Sequence, residues 1–451
     1  MVPGKLTKRS RGVKLAAAGL AVCARLAAQD PAESAAGGAL KIPTAPAGAV
    51  ARALVDEKAL ADTIGELVAC GTRNSLSSWD DPKRGIGCAR DRILARARVL
   101  AAASGGRLEI VLDRFEATSP RTNNSPAHLE NIVVILPGTD PVLSKTVFLA
   151  AGHFDSMPSS VMDAATDAPG ADDDASGVAA VLEAARLLSR GRYRATLLFA
   201  ALSGEEQGLL GGTRLLGFLA QRGLTIGGFL DNDIVGADPA PGGPHRVRVF
   251  SGGGPDGVDS PSRDLARAVE EIAGRDAVRL VLRLDRLGRG GDHRPFVEAG
   301  LPAVRFTEPL ENYDHEHQTP RIENGREYGD LEKFLDFRFL GNVARVNAEV
   351  LRQLSLAPAA PRDVTLSGGV TPDARVSWAA DPDPGRAGFE LLWRETTDPR
   401  WSVYGVFPSA GETVLTGIST DNRFFAVRSV GTDGARSIPV AATVKPPPPK
   451  K

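Results

Sequence analysis

The stretch Thr146-Val-Phe-Leu-Ala-Ala151-Gly-His153-Phe-Asp155-Ser runs through a polar loop into Gly170-Ala-Asp172-Asp173-Asp174-Ala-Ser-Gly177, and its reading decides the fold. Residues 146–151 are nearly all apolar, the pattern of a strand buried on both faces. The run stops as it delivers His153 and Asp155. Three consecutive carboxylates then open a helix-patterned segment that extends to Leu188. One aspartate at a helix start is explained by capping and the helix dipole, and Asp174 is placed to cap Ala175–Leu188. Three exceed that need, and burying them side by side calls for cations. The stretch therefore predicts a strand–loop–helix unit of an α/β sheet with a metal site at the strand end.

The flanking sequence repeats the unit. Before it, helices are expected at Val55–Val68 and Ala89–Ala103, the second from apolar spacing at Ile93, Ala97, Val99 and Leu100. Strands are expected at Leu108–Leu112, Asn131–Leu136, Thr146–Ala151, Ala195–Ala201, Phe229–Val235 and Ala303–Phe306, with helices at Gly177–Leu188, Ser262–Ala273 and Leu331–Leu354. Apolar strands alternating with helices predict a mixed, mostly parallel sheet flanked by helices. The short, turn-rich Pro137–Ser144 predicts antiparallel pairing of the strands on either side of it.

The chemistry-bearing residues collect at the expected strand ends, where loops of open α/β sheets build sites. Asp155, two residues past His153, is placed to hydrogen-bond the imidazole and fix its tautomer. Ala201-Leu-Ser-Gly204-Glu205-Glu206-Gln-Gly208 follows the fourth strand; of two adjacent carboxylates, one suits a metal and the other a base. Asp233 sits against apolar Ile234 and Val235. Asp292-His293 and Tyr313-Asp-His315-Glu-His317-Gln bring further imidazoles. Singly, each has an ordinary structural explanation. Together they supply His, Asp, Glu, Asp and His with a spare Glu, an inventory that suits two zinc ions sharing a carboxylate.

Those four segments, Gly-His153-Phe-Asp155-Ser, Pro169-Gly-Ala-Asp-Asp173-Asp-Ala-Ser-Gly177, Gly204-Glu205-Glu206-Gln-Gly-Leu and Asp233-Ile-Val-Gly, resemble the M28 family of di-zinc exopeptidases over roughly residues 55–355. The resemblance implies a phosphorylase/hydrolase-like α/β fold and removal of N-terminal residues from peptides. It also implies two Zn2+: His153 and Asp233 on one, Glu206 and a late histidine on the other, and Asp173 bridging. Glu205 would be the general base and Asp155 the orienting acid. The last motif departs from the family's Tyr-His-Thr-x-x-Asp. His317 is preferred because Gln318-Thr319-Pro320 follows in register, although Arg321 stands where an acid is usual, and His315 is the alternative. Asp292-His293 resembles a family loop near the substrate. The rivals are a glutaminyl cyclase-like acyltransferase and a non-catalytic binding protein on a peptidase scaffold.

The remainder of the chain sets the context. With 451 residues, 54 Lys+Arg against 55 Asp+Glu and no basic field, nucleic acid is not an expected partner. Basic residues Lys5–Lys14 and the apolar run Leu15–Ala28 predict a signal peptide over 1–28 and a secreted or periplasmic protein, with no stable membrane span. Residues 29–53 are Ala/Gly/Pro-rich, a flexible lead-in to a peptidase domain at 54–356. Cys70 and Cys88 are left as one candidate disulfide or two buried thiols. After the linker Pro358-Ala-Ala-Pro361, residues 362–445 read as short strands between turns, a small all-β sandwich. Trp378 and Phe424–Gly434 resemble a fibronectin type III domain, which implies contact with a surface or polymer. Residues 446–451 are a Pro/Lys tail.

Overall fold

The computed structural model describes residues 54–238, 245–254 and 259–444. The expected leader at 1–28, the lead-in to residue 53 and the tail 446–451 lie outside the described residues. Among the described residues, the first 300 or so carry one eight-stranded sheet. Its strands are β1 (Glu109–Ala117), β2 (Ala127–Leu136), β3 (Thr146–His153), β4 (Thr196–Leu202), β5 (Thr225–Asn232), β6 (Val247–Phe250), β7 (Val278–Val281) and β8 (Ala303–Thr307). They lie in the order β1-β2-β4-β3-β5-β8-β6-β7. The centre, β4-β3-β5-β8, is parallel.

Strand alternation places two cores against the sheet. Ile132, Val134, Leu197, Phe199 and Ala150 face one side, where they meet α1 (Glu57–Val68), α2 (Ile86–Ala103) and α3 (Ala175–Leu188). Val133, Ile135, Leu198, Leu149 and Ala151 face the other side, under α4 (Leu210–Gln221). Past α4, α5 (Pro261–Ala273) joins the first core, α6 (Arg294–Glu298) the second and α7 (Phe337–Leu356) the first. With both faces covered, the central strands need apolar residues at every position, which is why β3 and β4 read as continuous runs.

Three expectations are corrected. Asn131–Leu136 and Thr146–Ala151 do not pair, because β4 lies between β2 and β3. The antiparallel pairs are instead β1 with β2 and β2 with β4. A short connection fixes closeness in sequence, but both edges of β3 are taken by parallel partners, β4 and β5, which leaves β2 to pair with β4. The last helix begins at Phe337, not Leu331: Asp336 accepts from the Arg338 and Phe339 amides and caps it, after a single 3-10 turn at Glu332–Phe334. Finally, β6, β7 and α4 were not expected; the strands are only four residues long, and the Gly pair in α4 hid its helical pattern.

Beyond the hairpin β9 (Arg321–Glu323) and β10 (Arg326–Tyr328), residues 362–444 form two four-stranded sheets. One contains β11 (Arg362–Ser367), β12 (Ala374–Ala379), β15 (Gly411–Leu415) and β18 (Thr443–Val444). The other contains β13 (Arg386–Glu395), β14 (Ser402–Phe407), β16 (Arg423–Gly431) and β17 (Val440–Ala441). Val376, Trp378, Phe389, Leu391, Phe425 and Val427 fill the space between them. This sandwich meets α5 through polar groups. Trp401 donates to Asp264 at 3.0 Å, Arg400 grips Glu270 at 2.6 and 2.8 Å, and Arg428 bonds Glu271 at 2.6 Å. Arg267 donates to the Pro399 carbonyl at 2.7 Å.

Candidate metal centre

The parallel strands converge on one edge of the sheet, and the expected ligands are there. His153 is the last residue of β3; Glu205 and Glu206 follow β4, Asp233 follows β5, and His317 lies in the loop after β8. Asp173 stands one residue before the α3 cap. Asp174 joins these elements: one oxygen accepts the Gly177 amide and the other the His153 amide, both at 2.9 Å. The strand end and helix start approach so closely that a Cβ on Gly177 would lie 2.2 Å from the Asn232 carbonyl. Only glycine fits there. The Asp173–Asp174 peptide is cis.

Two donor groups form around Asp173: His153, Asp173 and Asp233 make one, and Asp173, Glu206 and His317 the other. His153 Nε2 lies 3.1 Å from Asp173 Oδ1 and 3.8 Å from Asp233 Oδ1. His317 Nε2 lies 2.9 Å from Asp173 Oδ2 and 3.1 Å from Glu206 Oε1. Asp173 thus offers one oxygen to each group. His153 Nε2 and Glu206 Oε1 are buried with no well-formed hydrogen bond, although partners surround them. A buried polar atom without a hydrogen bond is costly, and a cation at the focus of each group would satisfy both. The nitrogen and carboxylate donors are those zinc takes.

The electrostatics carry the same message. Burial opposes the charge on Asp173, yet His317 and His153 hold its carboxyl well below the usual range. The Glu206 carboxylate, with Asp173 beside it, pushes His317 up to about 11 against the effect of burial. Burial opposes the His153 cation too, but Asp155, Asp173 and Asp233 raise it well above its ordinary value. A field that keeps a proton on each imidazole also favours a dication between them. Glu205 belongs to neither group. Burial raises its carboxyl well above the usual range, Glu206, Asp233 and Asp292 add to the rise, and His153 opposes it.

The other expected residues separate. Asp155 meets the imidazole at two points: His153 Nδ1 is 3.1 Å from its main-chain oxygen and 3.5 Å from its carboxylate. That carboxylate also accepts the Glu205 and Glu206 amides at 3.3 and 3.2 Å, tying the β3 and β4 loops together. His315 is in neither group and stacks on Phe334 with ring centroids 3.7 Å apart. Asp172 accepts the Gly236 amide at 2.6 Å. Asp292 accepts the Gly212 amide at 3.0 Å, and His293 is buried between Asp231 and the Leu284 carbonyl. Two ligand neighbours have left-handed backbone: His317 itself at φ 49° and Ile234, beside Asp233, at φ 59°. For a β-branched residue this is strained, and the packing at the site must hold it.

Three supporting residues were not anticipated. Asp330 accepts the Asp172 and Asp173 amides at 2.8 and 2.7 Å and clamps the acidic triplet. Arg73, fully buried, bonds the carbonyls of Phe154 and Gly170 at 2.8 Å each and that of Pro169, so it holds both ends of the loop from His153 to Asp173. Cys70, three residues before it, is disulfide-bonded to Cys88. Arg305, buried in β8, lies 2.7 Å from Asp233 Oδ1. A signal for Arg305 existed, since a charge inside the apolar run Ala303–Phe306 must find a buried partner. Arg73 and Asp330 sit in loops, where no periodicity marks them.

The sequence profile of peptidase family M28 matches residues 131–333. A protein of Leptosphaeria maculans described as a "Probable zinc metalloprotease" is 40% identical over 397 residues, covering 83% of this chain and 91% of its own length. One of Pyricularia oryzae with the same description is 38% identical over 437 residues, covering 88% and 86%. Among solved structures, the LapA aminopeptidase of Legionella pneumophila aligns with a TM-score of 0.52 at 17% identity, covering 68% of this chain and 73% of that one. LapB from the same organism gives 0.51 at 18%, covering 68% and 74%.

Proposed function

Because the chain belongs to peptidase family M28, a family of zinc metallopeptidases, we propose that it is an aminopeptidase working with two zinc ions and Glu205 as general base. The observation that carries this reading is the shared carboxylate: Asp173 gives one oxygen to each of two buried donor groups. His153 and Asp233 would complete one zinc site, Glu206 and His317 the other. The two ions supply Lewis acidity for a water and for the scissile carbonyl. The residues do the rest. Asp155 fixes the Glu205 and Glu206 amides, so that one carboxylate of the pair binds and its neighbour stays free. Glu205 takes the proton of the attacking water and returns it to the leaving amine. Its upward-shifted carboxyl suits a group that must hold a proton between those steps.

The aminopeptidase reading draws support from the solved structures of like fold, among them LapA, which is described as an aminopeptidase. The leader read at 1–28 supports export, and the strand pattern of 362–444 supports a fibronectin type III module whose contact would be a surface or polymer. Metal analysis of the purified protein with a panel of free and N-blocked substrates tests the function. Two zincs with cleavage of aminoacyl-p-nitroanilides only when the amine is free is the expected result. One zinc with cyclisation of N-terminal glutamine would make it an acyltransferase, and no metal with no turnover a binding protein.

A further inference from the structure

The two donor groups share Asp173 but differ in what stands behind them. Behind Asp233 is Arg305, on β8 and without exposed surface. Its Nη2 lies 2.7 Å from Asp233 Oδ1, the oxygen that also faces His153 Nε2 at 3.8 Å. Its Nη1 bonds the Gly290 carbonyl and lies 3.4 Å from Asp285 Oδ2. Held at both nitrogens inside the protein, this guanidinium has no route to solvent. The second group is different. Among the described residues, the ion pairs of His317 are with Asp173 and Glu206 alone, and the arginine that reaches Glu206, Arg121, bonds its main-chain carbonyl. Arg289 acts on Asp173, but its own ion pairs are with Glu311 and Glu316, which belong to neither group.

We propose that Arg305 makes the two metal positions unequal, weakening the one formed by His153, Asp173 and Asp233. The proposal rests on the two-metal reading. A fixed positive charge beside a dication repels it, and more strongly in a buried site than in water. The same Asp233 oxygen is already engaged in a charge-assisted hydrogen bond to the guanidinium, which a metal would have to share. The position formed by Asp173, Glu206 and His317 keeps its ion, while the Arg305-facing position fills and empties with the free zinc concentration. Zinc supply would then set the fraction of chains able to turn over substrate.

Asp285 makes the test two-sided, because it shares the guanidinium with Asp233. Zinc is titrated against a chromophoric chelator with the wild-type protein, Arg305→Met and Asp285→Asn. The wild type is expected to give two separated dissociation constants. Arg305→Met should tighten the weaker by about tenfold or more, as removing a unit charge beside a buried dication implies, and leave the tighter unchanged. Asp285→Asn, which removes the carboxylate that shares the guanidinium with Asp233, should weaken the same constant further. A weaker constant that stays put or loosens in Arg305→Met overturns the proposal. If that variant does not fold, an unchanged or tightened constant in Asp285→Asn overturns it alone. A wild-type chain that takes up one ion refutes the two-metal reading and this inference with it; two ions indifferent to both substitutions refute this inference only.

Discussion

At the scale of single residues, His153, Glu206 and Asp233 stand at or just past the ends of apolar strands and Asp173 just before a helix cap, places that ask for a reason to keep a buried acid or imidazole. His317 and His315 could not be separated by pattern, because two residues apart in a loop they face no common repeat; the stacking of His315 on Phe334 separates them. If Glu205 is the base, Glu205→Gln should keep the zinc content of the wild type and lose turnover by about 10²–10⁴-fold; wild-type rates would remove it from that role. Asp285 offers a prediction in pH. Burial opposes its ionisation, yet Arg305, His293 and Arg286 hold it at about 2. A carboxyl whose folded value is depressed stabilises the fold above its unfolded value of about 3.9, and that contribution is lost as pH falls toward the folded value. Asp285→Asn should therefore cost about 2 kcal/mol at neutral pH, and the gap to wild type should narrow below about pH 4. Denaturant unfolding across that range checks it; a gap independent of pH would mean that Asp285 acts through packing.

At the scale of elements, the β3–loop–α3 unit followed from one stretch because its parts agree: buried strand, Asp174 cap and obligatory glycine. Sheet order did not follow, since neighbouring runs in sequence say nothing of a later strand inserted between them. The loop from His153 to Asp173 has little regular structure of its own and is held from outside by Arg73, which lies within the segment closed by the bridge between Cys70 and Cys88. The bridge spans a sequence separation of 18 residues. In the chain-entropy picture, opening such a loop costs about 3 kcal/mol. The Cys70→Ser, Cys88→Ser double variant should melt several degrees lower and release zinc at lower chelator concentration than wild type. A lower melting temperature with unchanged zinc retention would confine the bridge to global stability and detach it from the metal loop.

At the scale of the whole molecule, balanced charge gave no reason to expect a nucleic-acid partner and regular turn signals marked a sandwich, but nothing in the sequence showed how the two halves meet. Their junction is polar and its residues are scattered, each ordinary by itself. α5 serves both sides: Leu265 and Val269 pack in the core that includes Val304 and Phe306 of β8, while Asp264, Arg267, Glu270 and Glu271 engage the sandwich. Asp264 shows what would be left behind. Its burial raises it to about 6 even with Arg267 and Trp401 beside it. A chain ending at residue 357 would relieve that burial but lose the bonds from Trp401, Arg400 and Arg428, and should be less stable than the full chain; an equal melting temperature would show that the sandwich is a passenger. The shared helix also has a consequence in time. Ribosomes make the sandwich after α5, so the outer face of α5 stays bare until Pro399, Trp401 and Arg428 have emerged. Interrupted products would carry that bare face as a mark for proteolysis, and peptidase activity would accrue mainly to chains that were finished.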